Sequence, residues 1–462
     1  MRDVLATLSV HAETGPTRPA VSDDAGTMTY GALVDAIRRT AAWARDLPPV
    51  VGLMAPKDRR GVIWSLALAW AGRTIVPLPD FFSPAQRAHM VADAGIGGVV
   101  AAPDMAAAGG MNAPLHHPVA GSPSMDEPAG ENRWIIYTSG TSGRPKGVIL
   151  DAGQIDASVQ ALAAATDARP DDRMLSVLPP SLLLDLVAGL ALPLATGASL
   201  TLCPDPRWLA AVATATAPTA TVLVPEMLAA WVEGLERTGQ RAPDSLRFVA
   251  VGGAPVAPEL ADRAWNLGLP VHEGYGLSEC CSVVAVNRPG RRTSGTVGHP
   301  LPGVAVTVEN GEILVAGPTV MSGYLGGARS TGRHRTGDAG YFDAEGRLVV
   351  TGRIDDIIVT ASGRNLHPEW IEAMILADRR IARCAVVTGD GHPRALLIPA
   401  DGADDLGDPD RLIAALTAEA PPYARPRNNL TMTGETLVRH GLITPTGRLR
   451  RQAIATHLKE FR

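Results

Sequence analysis

Residues 136–147 read IYTSGTSGRPKG, and how this stretch is read decides how the rest of the chain is read. Four aliphatic hydroxyls (Thr138, Ser139, Thr141, Ser142), three glycines (Gly140, Gly143, Gly147) and one lysine (Lys146) share twelve positions. The apolar runs RWIIY before it and VIL after it predict flanking strands. Glycines let backbone N–H groups converge on an anion, hydroxyls add donors, and a lysine adds a mobile positive charge. Phosphate is the ligand that such a set suits. The nucleotide-loop pattern GxxxxGK[ST] does not match, because Pro145 precedes Lys146 and Gly147 stands where a Ser or Thr should be. The competing reading is a flexible Ser/Gly connection, and the density of donors between two strands argues against it.

Outward from the loop, the chain has 462 residues, enough for two or three domains and a large core. It is 46% hydrophobic and 19% charged, with a formal net charge of −5, so no general basic surface for nucleic acid is expected. Cys203, Cys280, Cys281 and Cys384 show no zinc spacing, and a vicinal pair makes a poor disulfide framework. A reducing cytoplasm is the expectation. The N-terminal MRDVLATLSVHAETG lacks the apolar core of a secretion signal. The most apolar run, Leu182–Leu200, is interrupted by Asp185 and Pro193. It therefore predicts a buried helix running into a strand, not a membrane span.

Between Thr29 and Ala101, helical spacing (Leu33, Ile37, Ala41) alternates with short apolar runs such as VVGLM, IVPLP and GVVAA. Strand–helix alternation of this kind implies a doubly wound α/β layer. Residues 103–132 have no clear period and read as a connector. A second α/β stretch follows the loop, with strands near MLSVLP, SLTLC, TATVLVP and LRFVAVGG. After Val297 two hairpins are expected, one turning at Asn310-Gly311 and one at Ala-Glu-Gly in YFDAEGRLVV. They form a small, β-barrel-like region closing a large domain, residues 1–354. Residues 355–462 form a smaller, mobile α+β domain.

Four more stretches join the loop: VGGAPV, EGYGLSE, RTGDAGY and GRIDDIIVTASGRNLHPEWIE. In this order and spacing, over nearly the whole chain, the sequence resembles the adenylate-forming superfamily of acyl-CoA synthetases, peptide-synthetase adenylation domains and luciferases. The resemblance implies an ATP- and magnesium-dependent ligase that makes an acyl-adenylate and passes the acyl group to CoA or a carrier-protein thiol. By position it implies that Thr138, Ser139, Gly140, Thr141, Ser142, Gly143 and Lys146 hold the β- and γ-phosphates. Gly253, Ala254 and Pro255 would admit the adenine, and Tyr275 and Gly276 would cover it. Ser278 stands where the family usually has Thr, and Glu279 matches the magnesium carboxylate. Asp338 and Arg353 match the ribose contacts, and Asp355 the hinge. In the second pose the stretch around Ser362-Gly363 would line the acceptor tunnel.

Two departures stand out. The C-terminal VRHGLITPTGRLRR resembles the long-chain acyl-CoA synthetase version of a motif whose lysine reaches between carboxylate and α-phosphate. Arg448 occupies that position here. Arginine keeps the charge with a larger, planar fork. The alternative reading makes Arg448 part of a basic surface cluster with Arg450 and Arg451. Many relatives also have a His at the position of Leu182. The residues expected around the acid are Leu182, Leu183, Leu184, Val224, Gly252, Cys280, Cys281 and Ser282, mostly small or apolar, with no charge to pair with a substrate amine. Core packing is the plainer reading of the leucines. Two other functions stay open: an ATP-dependent diazotase joining nitrite to an aryl amine, and a non-catalytic ATP-binding relative.

Overall fold

The structure is a computed structural model describing residues 1–101, 127–128, 131–138, 145–360, 365–389, 392–400, 406–444 and 449–460. The chain divides into two compact units: 1–307 with 314–334 and 343–348, and 308–313 with 335–342 and 349–462. Most of the expected connector, Ser139–Arg144, Ser362-Gly363 and Arg448 lie outside the described residues.

The first unit holds two sheets. The larger is ordered His299–Pro300, Ala285–Val286, Val271–Tyr275, Phe248–Val251, Ala220–Leu223, Arg173–Ser176, Ser199–Leu202, Pro19–Asp23, Gly26–Thr29. From Val271–Tyr275 through Pro19–Asp23 the neighbours are parallel. Residues of one parity along these strands (Leu175, Leu223, Val249, Val251, Val271) pack against Leu228, Trp231, Val232, Ala261 and Ala264. Those last five lie on the helices Pro225–Thr238 and Pro258–Asn266. Period-two alternation turns the other parity, including Ser176, Val222 and Ala250, to the opposite face.

The six-stranded sheet runs Gly323–Tyr324, Lys146–Asp151, Arg133–Thr138, Thr74–Pro77, Val50–Met54, Gly98–Ala101. The expected helices are present: Tyr30–Ala44 leads into its strand Val50–Met54, and Arg59–Trp70 and Pro84–Asp93 lie between its strands. Asp58 caps the second by accepting from Arg60 N (2.8 Å), and Ser83 with Gln86 forms a capping box on the third. The apolar run from Leu182 forms a π-helical turn, Asp185–Ala191, a short helix Leu192–Thr196 and the strand Ser199–Leu202. Among the described residues no helix is long and apolar enough to cross a membrane.

Both expected hairpins form. Ala305–Glu309 and Glu312–Ala316 turn through Asn310 (φ 52°) and Gly311 (φ 82°). Arg333–Phe342 and Leu348–Arg353 turn at Asp343–Arg347, where Asp343 N donates to Arg347 O at 3.0 Å. These four strands make one sheet. The second unit continues with helix Pro368–Leu376 and the antiparallel strands Ile381–Gly389 and His392–Pro399, with Leu430–Thr431 parallel to the latter. One face of this sheet (Cys384, Val386, Ala395, Leu397) packs on Ile371, Ile375 and Ile413. The other (Ala385, Val387, Leu396, Ile398) packs on Leu437, Ile454 and Leu458. Burial of both faces by alternating residues is what gives this unit its core.

Candidate active site

In the first unit, Thr138 and Lys146 are opposite each other, the last register pair of the hairpin whose connection carries the remaining loop donors. The base of this hairpin is anchored from helix Pro84–Asp93. Tyr137 donates its hydroxyl to Asp93 Oδ2 (2.6 Å), and His89 Nε2 lies 3.2 Å from the Pro145 carbonyl oxygen. Next to it, Gly323–Tyr324 pairs with the same strand, Tyr324 opposite Val148. This register puts the Lys146 ammonium 5.8 Å from the centre of the Tyr324 ring, within cation–π range. The Tyr324 hydroxyl donates to Glu279 Oε1 at 2.8 Å, and Met321 N donates to the Glu279 carbonyl at 2.8 Å. Lysine and carboxylate are thus joined through one phenol. Sequence reasoning missed Tyr324. Its only signal was an aromatic between glycines in SGYLGG.

Glu279 belongs to a 3₁₀ turn, Ser278–Cys280, just beyond the strand ending at Tyr275. The chain then doubles back through two left-handed residues, Cys281 (φ 52°) and Ser282 (φ 83°). A Cβ on Gly276 would sit 1.6 Å from the Ser282 carbonyl oxygen, so this approach requires glycine. Ser158 Oγ donates to the Cys281 carbonyl (2.8 Å) and holds the turn from behind. All four cysteines are buried and none forms a disulfide among the described residues, and burial pushes the Cys281 thiol up to about 12. It is therefore neutral and no nucleophile at ordinary pH.

Gly252–Pro255 follow the strand Phe248–Val251, with Gly253 at φ 85°. Val224 is half-buried at the cap of helix Pro225–Thr238, and strand register places it in step with Gly252. Leu183 is buried, while Leu182 and Leu184 are half-buried. Ser282 is buried, and its Oγ has no partner among the described residues.

In the second unit, Asp338 and Arg353 come together. Arg353 Nη1 donates to Asp338 Oδ1 (2.9 Å) and to the Thr336 carbonyl (2.6 Å). Gly337 (φ 69°) lets the guanidinium approach, since a Cβ there would lie 2.6 Å from Arg353 Nη2. Asp355 is exposed in the turn Ile354–Asp356, and its carboxylate lies 3.6 Å from Arg353 Nη2.

One alternative is corrected here. Arg451 does not join a basic surface cluster. It is largely buried, hydrogen-bonded to Glu372 (2.6 Å from Nη2 to Oε2) and Glu369 (3.2 Å), and ion-paired with Asp356 (3.3 Å). Three carboxylates compensate the desolvation that a buried guanidinium suffers. They raise its pKa further even though burial pulls it down. Arg450 is exposed, as that reading expected.

Whether this site suits ATP and magnesium can be judged from its donors. Among the described residues no group of three or more His, Cys, Asp or Glu forms a metal cage. The site offers one carboxylate, Glu279, oriented through Oε1 by Tyr324, with a lysine nearby. That matches magnesium's habit of binding one or two carboxylates together with substrate phosphates. The residues fit.

The chain belongs to the AMP-binding enzyme family. The family's model matches residues 8–325, and that of the AMP-binding enzyme C-terminal domain matches residues 355–458. It is 31% identical over 295 residues to the 2-succinylbenzoate–CoA ligase of Bacillus licheniformis, covering 59% of this chain and 61% of that one. It is also 31% identical over 316 residues to the long-chain-fatty-acid–CoA ligase FadD15 of Mycobacterium bovis, covering 56% and 52%. These matches span little more than half the length of the curated relatives. The fold is that of the o-succinylbenzoate CoA synthetase of Bacillus subtilis. Its complex with an acyl-adenylate superposes with TM-score 0.83 at 24% identity, covering 97% of each chain. Its complex with ATP and a magnesium ion gives 0.80 at 23% identity, covering 96% of this chain and 98% of that one.

Proposed function

We propose that this protein is an AMP-forming ligase that activates a carboxylic acid with ATP and passes the acyl group to CoA or a carrier-protein thiol. The observation that carries the reading is the convergence of Lys146, Tyr324 and Glu279 beside the hairpin whose connection holds the loop donors. Thr138, Lys146 and the loop hold the β- and γ-phosphates while the acid oxygen attacks the α-phosphorus and pyrophosphate leaves. Glu279 would hold a magnesium ion, which would supply neutralisation of charge developing on the phosphates. Ser278 adds a hydroxyl to the phosphates. Gly253–Pro255 and Tyr275 receive the adenine, and Asp338 with Arg353 receives the ribose hydroxyls through charge-assisted hydrogen bonds. Arg448 stands for the usual lysine between carboxylate and α-phosphate. Residues 1–354 act as the large domain and 355–462 as the small one, turning about Asp355 between two half-reactions. The reduced cysteines support a cytoplasmic setting.

A pyrophosphate-release screen with fatty, aryl and amino acids, and with nitrite plus aryl amines, each with and without CoA, tests the reading. Acid-dependent release followed by CoA-dependent thioester formation is expected. Release with nitrite and amine alone would favour the diazotase reading. Tight ATP binding with no release under any condition would make the protein a non-catalytic relative.

A further inference from the structure

The first unit contains a second charged centre that the proposed chemistry does not use. Lys57 Nζ donates to Asp185 Oδ2 (2.7 Å) and Ser176 Oγ (2.5 Å), and Ser176 Oγ donates to Asp185 Oδ1 (2.7 Å). The Lys57 and Asp185 side chains are only 9% and 7% exposed. Burial acts against both charges, lowering the lysine's pKa and raising the aspartate's. A buried ion pair of this kind is weak evidence of stabilisation, because apolar residues of similar volume often serve a core as well or better. It calls for another reason.

Strand register suggests one. Ala220 pairs with Met174 and Thr221 with Leu175 on one side, and Val222 with Ala250 on the other. Ser176, Val222 and Ala250 therefore form one row on the face turned away from the core helices. One pleat further toward the carboxyl ends, Val224 and Gly252, two of the residues expected around the acid, continue that face. Asp185 enters the same region from the chain, directly after Leu182–Leu184. A small cavity of about 20 Å³ adjoins the ion pair, lined by Lys57, Ser176 and Asp185 together with Val62, Leu186, Leu190 and Leu202. Ser176, and through it Lys57 and Asp185, thus borders the sheet face that Val224 and Gly252 continue.

We infer that the Lys57–Asp185–Ser176 cluster is the end wall of the acid pocket. It restricts the enzyme to compact acids, aryl or short-chain, and turns away long alkyl tails. The inference rests on the adenylation reading above. The three residues are specificity determinants, not catalytic residues. A methylene chain pressed on the cluster would strip the remaining hydrogen-bonding capacity of a charged pair and gain no polar partner in return.

The test is acid-dependent pyrophosphate release by purified full-length protein, comparing kcat/KM for benzoate and butyrate with that for decanoate and dodecanoate. The parent is expected to prefer the compact acids. The double variant Lys57→Met/Asp185→Leu removes both charges together and leaves no orphan ion. It should raise the long-to-short ratio about tenfold, roughly what burial of two methylenes is worth. Ser176→Ala keeps the ion pair and its fold, and should raise the ratio by a smaller factor, about threefold. A parent that already prefers dodecanoate, or an unchanged ratio in either folded variant, overturns the inference. No release from the parent with any acid would instead fail the adenylation reading, and the end wall with it.

Discussion

Lys146 and Arg451 are both cations beside motif loops, one in each unit, and their surroundings are opposite. Lys146 is exposed, has no ion pair among the described residues, and rests 5.8 Å from the Tyr324 ring centre. Arg451 is largely buried and engages Glu372, Glu369 and Asp356. Both have the sequence appearance of a basic residue in a motif. A cation whose charge is already matched by the protein has nothing left for a substrate anion, whereas one left open to solvent keeps its capacity for phosphate. The difference separates a cation engaged by the protein from one left available to a ligand.

The sharpest way to break the comparison is to delete both. Arg451→Ala leaves three neighbouring carboxylates without their counter-charge, and should cost about 3–5 kcal/mol of stability. Denaturant titration would read this as a large fall in the midpoint. An unchanged midpoint would mean that the cluster is hydrated and loosely held. Lys146→Ala should leave the midpoint within about 0.5 kcal/mol. It should lower turnover by about 10²–10³, the usual effect of losing one donor to developing charge. Full pyrophosphate release from that variant would remove Lys146 from the phosphate site.

Tyr324→Phe sharpens the comparison on the first unit's side. The ring under Lys146 remains, but Glu279 loses the donor that orients it. The magnesium concentration for half-maximal turnover should rise about tenfold, as for other residues that orient a metal ligand. The KM for ATP measured at saturating magnesium should change less. Equal magnesium curves for variant and parent would show that the phenol does not orient the carboxylate.

The smallest effect is expected from Glu369. Burial pushes its carboxyl from the ordinary 4.5 up to about 7, opposed by Arg451 and aided by Glu372 and Asp356. Its Oε2 is buried with no partner among the described residues, against the bare Cα of Gly352. Because the folded-state value is the higher one, the native state binds this proton more tightly than the unfolded chain. The contribution is therefore complete below about pH 4.5 and is lost as pH rises through about 7. Denaturant midpoints measured from pH 4.5 to 8 should fall less steeply in Glu369→Gln than in the parent. Parallel curves would place the group in a hydrated setting.

The strand–helix alternation, the Asn310-Gly311 turn and the strands flanking IYTSGTSGRPKG were legible in the sequence, because each depends on spacing over a few residues. Glu279, Asp338 and Arg353 were singled out from short runs of chain, and the structure adds that Glu279 accepts from Tyr324 and Asp338 from Arg353. What the sequence left undecided was which charges meet. Tyr324 reaches Glu279 across 45 residues, Lys57 reaches Asp185 across 128, and Arg451 reaches Glu372 across 79. Only the tertiary structure decided these pairings, because sheet order and register bring distant strands together and one residue of slip would turn every side chain to the opposite face. Burial followed from the same packing, and it made Arg451 a largely buried, ion-paired residue where the sequence alone also allowed a surface one.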